Sequence, residues 1–274
     1  MAKTVLSMKV SHEVPRCLLN NSRDFNDYDY CLPHLLDKDE HYKNFFYESK
    51  KRGRYIIMDN SLHELGESYD FERLQYWILE LQPNEFIVPD VWMKYAQTVS
   101  MAKYWKQFKY PKETTPVAVI QGEDKNSAYL CAGLLEGLGY KKLCVSYGAT
   151  WYNDFFPHTN ETLGKSLGRI RFVNGLLNLK QYNDIKLHLL GCSVPQEFGW
   201  YDNHPQIESI DTSNPIFAAL EGNIYSSTGL KEKPELNMNT SFDIDGKEVN
   251  YNNVLKNVKK FRKINGLKNY GRNT

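Results

Sequence analysis

Four apolar runs in this chain end on a carboxylate or an amide. They are Tyr55-Ile56-Ile57-Met58-Asp59, Phe86-Ile87-Val88-Pro89-Asp90, Val117-Ala118-Val119-Ile120-Gln121 and Ile207-Glu208-Ser209-Ile210-Asp211. A carboxylate at the end of a buried strand can serve as a nucleophile, as a proton donor and acceptor, or as an acceptor for paired N–H groups. An amide offers both a donor and an acceptor to a flat polar ligand. A barrel of parallel strands builds its site from the C-terminal ends of several strands. Three such carboxylates and one amide therefore suggest one pocket rather than scattered surface charge.

Each of these residues has a plain structural alternative. Asp211 lies in Ser209-Ile210-Asp211-Thr212-Ser213-Asn214-Pro215, a run of turn formers in which an aspartate often closes an Asx-turn or caps a helix. Its functional alternative is a nucleophile that attacks an acetal-like carbon, such as a sugar C1′, and traps an oxocarbenium-like state. Asp59, followed by Asn60-Ser61-Leu62-His63-Glu64, is either a turn aspartate or a general acid/base, with Glu64 a second candidate beside it. Asp90 is either a helix N-cap or an acceptor of two N–H bonds from a guanine-like edge. Gln121 could read such an edge, and Gly122 could let a flat base approach the backbone. Tyr147-Gly148 and Leu190-Gly191 end later apolar runs. They either present backbone groups to a planar ligand or simply turn, and apolar packing is the default for Leu190. His188 reads as a strand histidine, whereas His158, His204 and Glu197 fall in loops without an assignable partner. No ligand spacing points to a metal.

The elements that must position these residues alternate between strand and helix. Strands are expected at Val5 to Val10, 54–58, 86–89, 117–120, Leu143 to Tyr147, Ile185 to Leu190 and Ile207 to Ile210. Helices are expected near 39–51, 70–81, 95–108, 126–138 and 165–180. Over 70–81, for example, Phe71, Leu74, Trp77, Ile78 and Leu81 recur at helical spacing before Pro83. An eighth strand is expected near Asn223 to Tyr225, and 150–164 reads as a polar insertion. This alternation predicts an α/β fold, a single-domain (β/α)8 barrel over 1–249, followed by a basic C-terminal helix or tail over 250–274. No G-x-G-x-x-G follows the first strand, so a dinucleotide fold lacks its fingerprint.

Composition bounds the rest. The 274 residues carry a net charge of +1, so no global field calls for a polyanion. Charge is uneven, however. No acidic residue follows Glu248, while Lys256, Lys259, Lys260, Arg262, Lys263, Lys268 and Arg272 do. Val254, Leu255, Val258 and Phe261 give that stretch an apolar face. Its basic face is either simply solvated or follows a nucleic-acid backbone. Five cysteines at wide spacing make neither a disulfide framework nor a zinc knuckle. With no apolar stretch near membrane-span length and no signal-peptide core, a cytoplasmic protein is expected, in the host cytoplasm if phage-encoded.

Taken in order, Met58-Asp59-Asn60-Ser61 through Glu64, Pro89-Asp90-Val91, Val119-Ile120-Gln121-Gly122, Tyr147-Gly148, Leu189-Leu190-Gly191 and Ile210-Asp211 resemble the tRNA-guanine transglycosylase superfamily. The likeness is nearest to its phage and bacterial branch, which places 7-deazaguanine bases in DNA, and it covers roughly residues 50–220. The resemblance implies Asp211 as nucleophile and Asp59 as general acid/base. It implies Asp90, Gln121 and Gly148 as contacts to the base, with Leu190 as the apolar wall beneath it. Gly122 and Asn60 are expected to bind the substrate beside them, although Asn60-Ser61-Leu62 stands where the family has a glycine pair. It further implies base exchange without a cofactor, since one N-glycosidic bond replaces another, on a target base that has left its stack. The incoming base would be a 7-deazaguanine, with 7-cyano-7-deazaguanine the family's common choice. The tRNA enzymes carry a zinc site of three cysteines and a histidine after the nucleophile. Here no cysteine follows Cys192, which favours DNA over tRNA as the polymer, with Lys256, Lys259, Lys260, Arg262 and Lys263 as its contacts. The other readings are a tRNA-guanine transglycosylase, a retaining glycoside hydrolase and a non-catalytic nucleic-acid binder.

Overall fold

The structure is a computed structural model that describes residues 8–202 and 204–268. Residues 5–7 of the expected first strand, and Arg272 of the basic tail, lie outside the described residues. The strands are β1 (Lys9–Ser11), β2 (Asp29–Cys31), β3 (Ile56–Met58), β4 (Glu85–Ile87), β5 (Thr115–Ile120), β6 (Lys142–Ser146), β7 (Lys186–Leu190) and β8 (Ile207–Asp211). They form one sheet in the order β1-β8-β7-β6-β5-β4-β3-β2, parallel and interleaved with helices. The fold is of the (β/α)8 TIM type. One strand was misplaced from sequence. The strand missing from the expected set is β2, not 223–225. The amide of Tyr225 instead donates to the side-chain oxygen of Asn257 at 3.0 Å.

The chain falls into two compact units. One comprises Tyr28–Ser146 with Asp184–His188; the other comprises Met1–Asp27, Tyr147–Asn183 and Leu189–Thr274.

In the Tyr28–Ser146 unit, β3, β4 and β5 are apolar on both faces, with Ile56, Ile57, Met58, Phe86, Ile87, Val117, Ala118 and Val119 all buried. Strands covered on both sides read as continuous apolar runs, which is why the sequence marks them well. The helix Phe71–Leu81 starts where the Asp70 carboxylate accepts the Arg73 amide, and it ends at Gln82 in a left-handed conformation. Leu74, Trp77, Ile78 and Leu81 form its buried stripe, each side chain contributing about 1.5–3 kcal/mol by leaving water. The helix Lys125–Gly137 starts with a capping box between Asp124 and Ser127.

In the other unit, β1 pairs with β8 in the register Ser11 to Asp211. The expected polar insertion contains a helix, Trp151–Phe155. It is held by Trp151 edge-on to Phe172 of the helix Glu161–Leu177, with ring centroids 5.3 Å apart. The C-terminal helix Tyr251–Ile264 buries Val254, Val258 and Phe261, and no described helix is long and apolar enough to cross a membrane.

Candidate active site at the strand ends

Three strands of the Tyr28–Ser146 unit deliver the first set of polar groups. Asp59 follows β3 and is buried. One carboxylate oxygen accepts the Tyr30 hydroxyl at 2.9 Å, and the other accepts the Ser61 amide at 3.1 Å. The second bond is the Asx-turn foreseen as the structural alternative. The first comes from a side chain that only the fold brings near. Ser61 takes a left-handed conformation at φ 57°, and its hydroxyl lies 2.7 Å from Nδ1 of the buried His34. Tyr30 also stacks on His188, with ring planes 15° apart and centroids at 5.9 Å. His188 is thus a buried core histidine.

Asp90 lies just past β4, not within the strand. Its backbone is held by Ser68, whose hydroxyl donates to the Asp90 carbonyl at 2.8 Å and accepts its amide at 3.1 Å. Asp90 is not a helix cap, because the N-cap of the helix Tyr95–Trp105 is Lys94. Its oxygens face amides instead. Asn60 donates to Oδ1 at 2.7 Å, and Gln121 donates to Oδ2 at 2.6 Å. Burial pushes the Asp90 carboxyl up to about 6, since the bonds from Gln121 and Asn60 offset only part of the lost hydration.

The amides are themselves fixed. Asn60 also donates to the Val88 carbonyl at 3.1 Å, and its oxygen accepts the Leu62 amide at 3.0 Å. The Gln121 oxygen accepts the Met93 amide at 2.9 Å, and Met93 has φ 52°. Asn60, Asp90 and Gln121 therefore form one rigid cluster across the ends of β3, β4 and β5. Asn60 acts in it as a brace between loops. Gly122 is required by packing. A side chain there would lie 2.5 Å from the Ala128 amide nitrogen. The missing Cβ admits the helix Lys125–Gly137.

The other unit holds the remaining candidates. Asp211 ends β8 and is buried, and it does not cap the helix Asn214–Leu220, whose N-cap is Ser213. Its Oδ2 accepts the Gly191 amide at 3.3 Å. The Leu190 and Gly191 carbonyls accept Nη1 and Nη2 of Arg169, each at 2.8 Å. Gly191 has φ 58°, and a Cβ there would strike the Tyr147 ring. Tyr147 lies under Lys233, whose ammonium is 4.4 Å from the ring centroid. Leu190 and Gly148 are half-buried.

On the C-terminal helix, Lys256, Lys259 and Lys263 are exposed and Lys260 is half-buried. Arg262 corrects the expectation of a uniform basic face. It is fully buried, its guanidinium donates to the Phe25 carbonyl at 2.9 Å and the Lys268 carbonyl at 2.8 Å, and it pairs with Asp27 at 3.1 Å. It is a core brace, because those interactions turn its guanidinium inward.

Comparison with family models and with curated proteins gives no match. Two participants escaped the sequence reading. Tyr30 sits in β2, the strand that was missed. Arg169 falls on the buried face of its helix with Phe172, Val173, Leu176 and Leu177. A charged residue in register with an apolar stripe is the signal that could have found it, because a buried charge requires a partner. That partner is Glu197, 2.6 Å away, which sequence reading left unassigned.

Proposed function

We propose that this protein exchanges guanine in DNA for a 7-deazaguanine base through a covalent aspartyl–sugar intermediate. The observation that carries the reading is Asp90, a buried carboxylate whose side chain bonds to neutral amides, both of them pinned by further bonds. A buried acceptor of this kind suits the paired N–H donors of a guanine edge, which satisfy it without importing a charge. At neutral pH, above its value of about 6, Asp90 is ionised and accepts only.

In this reading the Asp211 carboxylate attacks C1′ of a deoxyguanosine, and the C1′–N9 bond breaks. Asp59 hands a proton to the departing guanine. The incoming base loses its N9 proton to Asp59, its nitrogen attacks C1′, and the ester C–O bond breaks. One glycosidic bond replaces another, so no external energy source enters. Lys256, Lys259, Lys260 and Lys263 supply contacts to the DNA backbone. Replacing the three exposed lysines flattens the salt dependence of DNA binding by roughly three phosphate contacts.

The test is incubation with 7-cyano-7-deazaguanine and, separately, DNA or tRNA, followed by nucleoside mass spectrometry. A deazaguanine deoxynucleoside from DNA is expected, and Asp211→Asn is expected to abolish it in a folded protein. Product in tRNA alone overturns the choice of polymer. Absence of product from both overturns the exchange reaction.

A further inference from the structure

A buried arginine in the same unit is linked to Asp211 through a single peptide group. Arg169 is fully buried, and each of its three guanidinium nitrogens donates. Nε donates to the Glu197 carboxylate at 2.6 Å and lies 3.1 Å from the Tyr201 hydroxyl, which itself donates to Glu197 at 2.8 Å. Nη1 and Nη2 donate to the carbonyls of Leu190 and Gly191. A rigid, planar fork suits two adjacent carbonyls, where a lysine ammonium would not hold both in one geometry.

The Leu190 carbonyl and the Gly191 amide belong to one peptide group. Its oxygen faces Arg169 and its N–H faces Asp211 Oδ2. A peptide held this way is polarised along its dipole, and the polarised N–H is a better donor to a carboxylate. Its orientation is fixed at the other side too, since Gly191 is left-handed and closed in by the Tyr147 ring. Helix, strand end and carboxylate are thus joined in a single chain of bonds, Arg169 to peptide 190–191 to Asp211.

We infer that Arg169 is the positioning residue for the Asp211 carboxylate, acting through the Leu190–Gly191 peptide, with Glu197 serving only to neutralise the buried arginine. The inference rests on the proposed role of Asp211 as nucleophile. It separates two functions that a simple structural ion pair would not separate. Removing Glu197 weakens the fold but leaves the fork on the two carbonyls. Removing both charges spares the fold but releases the peptide, because an apolar pair can replace a buried ion pair at little cost.

The experiment compares Glu197→Gln with the double variant Arg169→Met/Glu197→Met, measuring thermal midpoint and base-exchange kinetics on DNA. In Glu197→Gln the amide oxygen can keep the bonds to Arg169 and Tyr201. The new nitrogen takes the place of an oxygen that makes no bond among the described residues. We expect it to melt lower than wild type while keeping kcat within about threefold, measured where it is folded. The double variant is expected to melt near wild type with kcat reduced about 100-fold and the KM for the incoming base little changed, because a misplaced nucleophile costs turnover, not binding. A kcat that follows the melting order of the variants overturns the inference, as does a well-folded double variant with wild-type kcat. Absence of exchange by wild-type protein overturns the reading of Asp211 itself, and the inference with it.

Discussion

Within the Tyr28–Ser146 unit the two ends of the strands treat buried carboxylates in opposite ways. At the N-terminal ends each carboxylate meets a cation. Asp29 of β2 takes both oxygens to Arg54, at 2.8 Å each, and Glu85 of β4 takes both to Lys142 of β6, at 2.8 and 2.9 Å. At the C-terminal ends the donors are neutral. Asp90 faces Asn60 and Gln121, and Asp59 faces Tyr30 and a backbone amide. A buried acid beside a cation has its charge paired directly. Asp90, held by amides, has its carboxyl pushed up by burial, and groups displaced in that way cluster where acids bind and react. The same residue type thus braces the sheet at one end and, in the proposed reading, is poised for chemistry at the other.

The largest effect should come from breaking the braced end. Lys142→Met leaves Glu85 buried without its cation, and a loss of about 3–5 kcal/mol in urea denaturation is expected. Adding Glu85→Gln should recover most of that loss, since it removes the stranded charge. Base exchange per folded molecule should stay at the wild-type level in both, because neither residue belongs to the proposed site. A loss of exchange beyond the loss of folded protein would erase the distinction between the ends.

The next effect belongs to the poised end and is legible in its pH dependence. The fold raises the Asp90 carboxyl from 3.8 to about 6, so folding favours its protonated form. That contribution is fully present below pH 3.8 and is lost as pH rises through about 6, a difference on the order of 3 kcal/mol. Relative to wild type, Asp90→Asn should therefore gain stability progressively between pH 4 and 7. At the same time it should lose recognition of the guanine edge, with kcat/KM for exchange down at least about 100-fold. A flat difference between the two stability curves would show that Asp90 is not held above its ordinary range.

The two ends were not equally legible in sequence. The poised end announced itself because its polar residues terminate apolar runs that are buried on both faces, so Asp59, Asp90 and Gln121 could be found by strand reading alone. The braced end was invisible. Glu85 and Lys142 are 57 positions apart, and their pairing exists only once the strands lie in one sheet. Asp29 was hidden because β2 is three residues long, Asp-Tyr-Cys, in a stretch too polar to read as a strand. Tyr30 was missed with it. Gly122 was singled out as a place for a flat base to approach, and its close approach to Ala128 was invisible, since sequence cannot say which neighbour a missing side chain admits. Arg262 was counted with its lysine neighbours because like residues on one helix look equivalent until burial separates them.

The smallest and sharpest comparison uses one hydroxyl at each end. Tyr55 donates to Glu85 at 2.8 Å, and Tyr30 donates to Asp59 at 2.9 Å. Tyr55 is 37% exposed and its acceptor keeps Lys142, so Tyr55→Phe should cost less than about 0.5 kcal/mol, within the range of surface substitutions. Tyr30 is 8% exposed, and Phe preserves its stacking on His188 while deleting only the hydroxyl. Loss of one bond to a buried carboxylate should cost about 1.5 kcal/mol. If Asp59 must be aimed to move its proton, the same loss should lower kcat about tenfold. The ratio of the two kinetic effects is the critical quantity. Equal effects on exchange would mean that both tyrosines only support the fold. A tenfold effect confined to Tyr30→Phe would place β2, the strand least visible in the sequence, among the elements that tune the proposed acid/base.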